Sequence, residues 1–387
     1  MKRLLIILML AALVVPMSAQ EAWTGTFATA PEFTGRGDMP QHSSLSGNTI
    51  RQIVKVTTAG KQLRVQLSNE FSDTPVEING VYIALAKDTS DIDLKTVKWL
   101  KFAGKKNVSI PARQALYCDA FSYNLPKLTR LAVTICYGKN TPEHMTSHRG
   151  SRTNSYIAKG NVKPGKKYVT IEKLAHWYNI ARIEVKAQKP AIAILGNSIT
   201  DGRGSTTDAQ NRWPDFMAEA LNGEVGVLNL GIGGNCVVEG GLSEPALKRF
   251  DRDILGQNNV DKLIIFEGTN DIGTCGGNYE KKAKQVIDAY KVLIDKAHAK
   301  GIKVYGGTIT PTKGNGWYSF FHEAMRQTIN EWIRKPGNFD GIVDFDELVR
   351  DKKDPQKLIK EYSEDWLHLN PKGYEVMGKF AAKKICE

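Results

Sequence analysis

The chain has 387 residues, 41% of them hydrophobic and 24% charged, which is ordinary for a globular protein and long enough for two domains with a sizeable core. The formal net charge is +12. The lysines are scattered, however, as in GKKNV, PGKKY and DKKDP, with no basic stripe interleaved with aromatics. This argues against a nucleic-acid partner and for solvated surface charge.

The chain opens with MKRLLIILMLAALVVPMSAQ. Lys2 and Arg3 precede a short apolar run, Leu4 to Val15, and Met17-Ser18-Ala19 supplies small residues near a cleavage point. This is the pattern of a secretory signal peptide over residues 1–19, with the mature chain starting at Gln20 or Glu21. The expected location is periplasmic or secreted. A retained anchor is the alternative, but the run is short for a membrane span, and no cysteine follows it to carry a lipid.

From Glu21 to about Ala187 the chain reads as strands. NTIRQIVKVTTAG, KQLRVQLSNEF, VEINGVYIALA and TRLAVTICYG are short, β-branched, partly alternating runs separated by Gly, Pro, Asn, Asp and Ser clusters. The expectation for residues 21–187 is an antiparallel β-sandwich. There is no internal repeat or low-complexity linker.

Residues 188–387 follow another pattern. The predicted strands are AIAILG, GVLNLG, KLIIFEG, KVYGGTI and GIVDFDEL. Between and after them come the helical segments RWPDFMAEALN, SEPALKRFDRDIL, NYEKKAKQVIDAYKVLIDKAHAKG, FFHEAMRQTINEWIR and PKGYEVMGKFAAKKI. Such alternation predicts an α/β, doubly wound parallel sheet covered on both faces. Sites in such sheets lie beyond the C-terminal strand ends. Trp213 and Pro214 are expected to open a helix and pack on the core.

Four such ends or nearby loops carry chemistry. The first strand stops at Gly196-Asn197-Ser198, the second leads into GIGGN, the third into EGTND, and DWLH precedes the last helix. A serine hydroxyl is a poor nucleophile until a base takes its proton, and histidine suits that task near neutral pH. The histidine needs an acceptor behind it to fix its tautomer. The oxyanion formed on attack needs donors already in place. Glycine N–H groups, the Asn270 amide and the Ser198 N–H can serve. Of the seven histidines, His298 and His368 each lie three residues after an aspartate, but His298 falls within the predicted long helix, whereas His368 sits in the segment just before the last helix.

GNSITDG, NLGIGGN, EGTND and DWLH resemble, in order, the four catalytic blocks of the SGNH hydrolases, also called GDSL esterases/lipases. The resemblance implies a flavodoxin-like parallel sheet with Ser198 as nucleophile, His368 as base and Asp365 as its orienting acid. Gly234 and Asn270 would complete the oxyanion hole. Gly234 matches the N-x-x-x-x-G spacing counted from Asn229, with Gly231 and Gly233 as alternatives. Glu364 and Asp344 are other candidate acids, and Asp365 could instead cap the last helix. Asn197 stands where the family usually has Asp. RWPD, RFDRDIL and SHRGSRTNSY further resemble a secreted bacterial subgroup with a β-rich N-terminal region.

The expected activity is an exported serine esterase. The resemblance implies a carbohydrate O-acetylesterase whose partner is an acetylated glycan or another small ester. The alternatives are a lipase or broad short-chain carboxylesterase, and a binding protein on a silent hydrolase fold. No cofactor and no metal are expected: no His, Cys and carboxylate cluster has ligand spacing, and GIGGN lacks the context of a dinucleotide site. The five cysteines, Cys118, Cys136, Cys236, Cys275 and Cys386, are too few and dispersed for a disulfide scaffold. Export would allow Cys118–Cys136 and Cys236–Cys275 bridges, and free buried thiols are the other reading. The β-rich half is expected either to pack against the catalytic half or to hold sugar chains.

Overall fold

The computed structural model describes residues 21–387. The signal-peptide reading falls on residues outside that range. Most of the region up to Ala187 forms antiparallel sheets, as its alternating β-branched runs require. One sheet joins Ala22–Ala28, Ile180–Ala187, Gly60–Ser68 and the short strands Ala115–Tyr117 and Phe121–Leu125. The facing sheet is built around Thr49–Lys55, Arg130–Tyr137 and Val76–Leu85. Their inner faces meet in one apolar cluster that includes Val65, Leu67, Val133, Ile135 and Ile183. A small third sheet of Glu32–Phe33, Thr146–His148 and Trp177–Tyr178 forms a separate ladder, and its Trp177 and Tyr178 pack into the same apolar cluster.

The remainder is a five-stranded parallel sheet. Its spatial order is Gly226–Gly231, Ala191–Gly196, Val260–Phe266, Lys303–Gly307 and Gly341–Val343. In chain order this is 2-1-3-4-5, the flavodoxin-like arrangement, with its switch point beside the first strand. Alternate residues of that strand serve opposite faces. Ala191, Ala193 and Leu195 join one core with Val286, Leu293 and Ile329. Ile192 and Ile194 join the other with Trp213, Phe266 and Tyr374. The helices Trp213–Ala220, Tyr279–His298, Phe320–Arg334 and Pro371–Cys386 cover the two faces. Trp213 and Pro214 open their helix and are buried, as expected.

Two details depart from the sequence expectations. GIVDFDEL is not one strand: it ends at Val343, where Asp344 accepts a bond from the Glu347 N–H and caps a short helix, Phe345–Val349. SEPALKRFDRDIL starts as α-helix at Ala246–Phe250 and continues as a π-helical turn, Asp251–Leu255. All five cysteines are free, four of them buried, so neither expected bridge is formed. Among the described residues no helix is long and apolar enough to cross a membrane.

The two halves share a core. Ala28 and Ala30, from the first strand of the chain and the turn after it, belong to the same apolar cluster as Leu228 and Leu230 of the parallel sheet. The sandwich therefore completes one face of that sheet. Residues 188–387 expressed alone should show a lower, broader thermal transition by circular dichroism than the mature chain. A fragment melting as sharply and as high would show that this shared burial contributes nothing.

Candidate active site

Ser198 opens a single helical turn, Ser198–Asp201, directly after the first parallel strand. The turn forms because the Asn197 side chain accepts from the Ile199 N–H at 3.0 Å, a side-chain cap of the helix N-terminus. A cap needs an oxygen and not a charge, so Asn serves at this position. It also avoids a second buried carboxylate beside Glu267, which burial and the neighbouring Asp271 push up to about 8 despite Arg249.

The DWLH segment is a tight turn built by its own aspartate. Oδ1 of Asp365 accepts from the backbone N–H groups of Leu367 (3.0 Å) and His368 (2.8 Å). This leaves Oδ2 for the His368 ring, whose Nδ1 lies 2.7 Å away. Trp366, between them, is held at φ +60°, a left-handed conformation uncommon for a bulky residue. The Ser363 hydroxyl donates to the His368 carbonyl at 2.7 Å and closes the turn. The last helix is capped by Asn370, whose side chain accepts from the Gly373 N–H, so Asp365 is not that cap. Asp344 caps another helix, and Glu364 is solvent-exposed.

With a carboxylate at Nδ1, the ring carries its proton there, and Nε2 is free to accept. The Ser198 hydroxyl lies 2.9 Å from Nε2. Burial depresses the His368 pKa below 6.5 and outweighs the Asp365 interaction, with the Arg203 and Arg152 charges pushing the same way. At neutral pH the ring is thus an unprotonated acceptor. Burial alone would raise the Asp365 carboxyl, but the bonds from the His368 ring and backbone hold it below its ordinary value.

Gly234 and Asn270 face the same space. Gly234 has φ +72°, a conformation that favours glycine. Among the described residues the N–H groups of Ser198 and Gly234 donate to no other backbone group. The Asn270 amide nitrogen donates to the Asn235 carbonyl at 2.7 Å, which orients it and leaves its second N–H. Asn235 in turn accepts from the fully buried Arg249 at 2.9 Å. Of the alternatives, Gly233 also borders the cavity. Gly231 lies in the second parallel strand, its N–H turned to Asn229 Oδ1.

The five expected residues, Ser198, Gly234, Asn270, Asp365 and His368, border one cavity of about 530 Å³. Other wall residues escaped the sequence reading. Arg149 and Arg152 come from the loop after Thr146–His148, and Glu32 from the same small sheet. Asp201, one turn after Ser198, is buried and receives Arg152 Nη2 at 2.6 Å and His148 Nε2 at 3.0 Å. His148 Nδ1 is 2.9 Å from the Ala30 carbonyl. Both ring nitrogens therefore face acceptors, which requires both to carry protons. Burial opposes that charge, but the Asp201 bond and the nearby Glu32 carboxylate raise the pKa above its ordinary value. Gly150 permits the contact, because a Cβ there would lie 1.9 Å from Asp201 Oδ2. The SHRGSR motif could have suggested a site contribution, but nothing in sequence pairs it with Asp201.

The family model of the GDSL-like lipases/acylhydrolases matches residues 194–376. An uncharacterized lipoprotein of Bacillus subtilis (strain 168), YqeF, is 27% identical over 185 residues, covering 46% of this chain and 71% of its own. Among solved structures, a GDSL-like lipase from Bacteroides thetaiotaomicron VPI-5482 is 21% identical with a TM-score of 0.38, over 50% of this chain and 88% of its own. A catalytic mutant of an acetylxylan esterase from Geobacillus stearothermophilus is 16% identical with a TM-score of 0.38, over 50% and 93%. Residues 194–376 thus match a GDSL-like lipase/acylhydrolase domain, preceded by a β-rich region. A domain of that kind supports an ester-hydrolysing activity.

The raised His148 value has a fixed sign. Its stabilisation is complete below the unfolded pKa, about 6.5, and is lost as pH rises through the higher folded value. His148→Ala should lower the unfolding free energy at pH 6, read from urea denaturation, by about 3 kcal/mol for a broken buried pair. The gap to wild type should narrow at pH 9. An equal gap at both pH values would show that the ring is not charged in the fold.

Proposed function

We propose that the protein is an exported serine esterase that removes acetyl groups from glycans, with Ser198, His368 and Asp365 as its catalytic chain. The observation that carries this reading is the continuous bond path from Asp365 Oδ2 through His368 to Ser198 Oγ, with steps of 2.7 and 2.9 Å, beside amide donors facing one cavity.

In this mechanism His368 Nε2 takes the Ser198 proton as Oγ attacks the ester carbonyl carbon. The oxygen becomes an anion held by the N–H groups of Ser198 and Gly234 and by the Asn270 amide. Asp365 stabilises the imidazolium and keeps its orientation. Collapse breaks the bond to the sugar oxygen, which leaves with the proton from His368. Water, deprotonated by His368, then attacks the acetyl-serine and releases acetate and free Ser198.

The small acyl group and polar alcohol are supported by the wall. Among the described residues its only large apolar side chains are Leu242, Trp317 and Leu367, set among arginines and carboxylates. A long acyl chain would need a continuous apolar channel. Export rests on the N-terminal MKRLLIILMLAALVVPMSAQ.

Acetate release from acetylated xylan, pectin and host-type glycans tests the reading. Wild type should release acetate, and Ser198→Ala should be slower by about 10⁴-fold or more. Preferential cleavage of long-chain esters would replace the acetylesterase with a lipase. Asn270→Ala should reduce kcat by about 10²-fold, and an unaffected kcat would remove it from the oxyanion hole. Because His368 must be neutral, kcat/KM should fall with acid along a limb centred below pH 6.5. A limb above that value would contradict the assigned base.

A further inference from the structure

The arginines around Ser198 are unequally satisfied. Arg149 holds Glu32 through Nε and Nη2, and Nη2 also reaches the Ser243 hydroxyl. Arg152 commits Nη2 to Asp201, while its buried Nε has no partner. Arg203 borders the same cavity, is exposed, and its guanidinium has no hydrogen-bond or ion-pair partner among the described residues. The wall carboxylates, by contrast, are all engaged: Glu32 by Arg149, Asp201 by Arg152 and His148, Asp365 by His368. With His148 doubly protonated, these groups number four cations against three carboxylates. The surplus positive charge and the spare N–H donors sit at Arg152 and Arg203.

We infer that Arg152 and Arg203 form an anion subsite beside Ser198, which takes the carboxylate of an acidic sugar carrying, or adjoining, the acetyl ester. This rests on the esterase reading and narrows its substrate class. Arg152 is preorganised: a buried carboxylate fixes it, and that carboxylate is fixed from its other oxygen by His148. A guanidinium so held offers paired N–H groups to a planar carboxylate. Arg203, exposed and without a side-chain partner among the described residues, supplies the second charge on the same cavity wall. Both charges also lower the His368 pKa, which places them within electrostatic reach of the reacting atoms. A neutral sugar could offer only hydroxyl acceptors, without the charge that strengthens a bond from a guanidinium.

The test is direct binding to Ser198→Ala, which is independent of turnover. Calorimetry would compare trigalacturonate and a sialylated trisaccharide with neutral xylotriose. At least one acidic sugar should bind about 10-fold or more tighter than xylotriose, the scale of one charge-assisted hydrogen bond. The preference should shrink with salt and collapse when Arg203→Gln is added. A plant uronate and a host sialate are separated by which acidic probe wins. Equal binding of acidic and neutral sugars, absence of acidic binding, or a preference that survives Arg203→Gln would each overturn the subsite. Ser198-dependent hydrolysis of 4-nitrophenyl acetate by the wild-type chain reports separately on the esterase chemistry.

Discussion

Asp201 is a carboxylate with almost no access to water, one helical turn from Ser198. Burying such a charge costs several kcal/mol unless cations and hydrogen bonds compensate it. Both compensating groups, His148 and Arg152, come from the β-rich half. The turn that presents Ser198 is therefore stable in its observed form only when the small sheet carrying His148 is docked against it. This makes the sandwich more than a neighbour: it neutralises the charge under the serine and supplies one wall of the cavity. Of the two sequence readings, packing partner or sugar-holding module, the first describes its contacts, but the contacts reach into the site.

Arg249 is the matching device on the other side. It is fully buried and donates to the carbonyls of Leu230 and Gly196 at 2.8 and 3.1 Å. Those are the C-terminal ends of the two strands that carry Ser198 and the glycine loop. It also bonds Asn235, which fixes Asn270. One guanidinium, with five donors in a rigid fork, thus sets the spacing among three of the four site segments. A lysine, with a single ammonium point, could not hold that geometry.

Much of this was legible in sequence for physical reasons. Period-two apolar patterns and long amphipathic runs are local properties, so the sandwich, the parallel sheet and its covering helices could be read directly. Ser198, Gly234, Asn270, Asp365 and His368 occur in short blocks whose order places them on one rim. The pairing of His148 with Asp201 spans 53 positions and crosses from one half to the other. In sequence Asp201 looks like a turn residue before Gly202. The break of GIVDFDEL was missed because Asp344 reads equally well as a polar strand position and as a helix cap. Arg249 was visible within RFDRDIL, but its function depends on carbonyls at two strand ends, Leu230 and Gly196, which no local pattern brings to it.

The shared core has a consequence for the order in which the chain can fold. The first strand, Ala22–Ala28, pairs with Ile180–Ala187, while Ala28 and Ala30 pack with Leu228 and Leu230. A chain delivered N-terminus first, across a membrane or from a ribosome, presents its opening strand long before either partner exists. That strand stays unpaired until residue 187 has emerged, and its apolar side remains uncovered until about residue 230. Such late closure is the regime of high contact order, in which folding is slow and unpaired edges attract other chains. The opening segment is thus where a holding chaperone has most to shield.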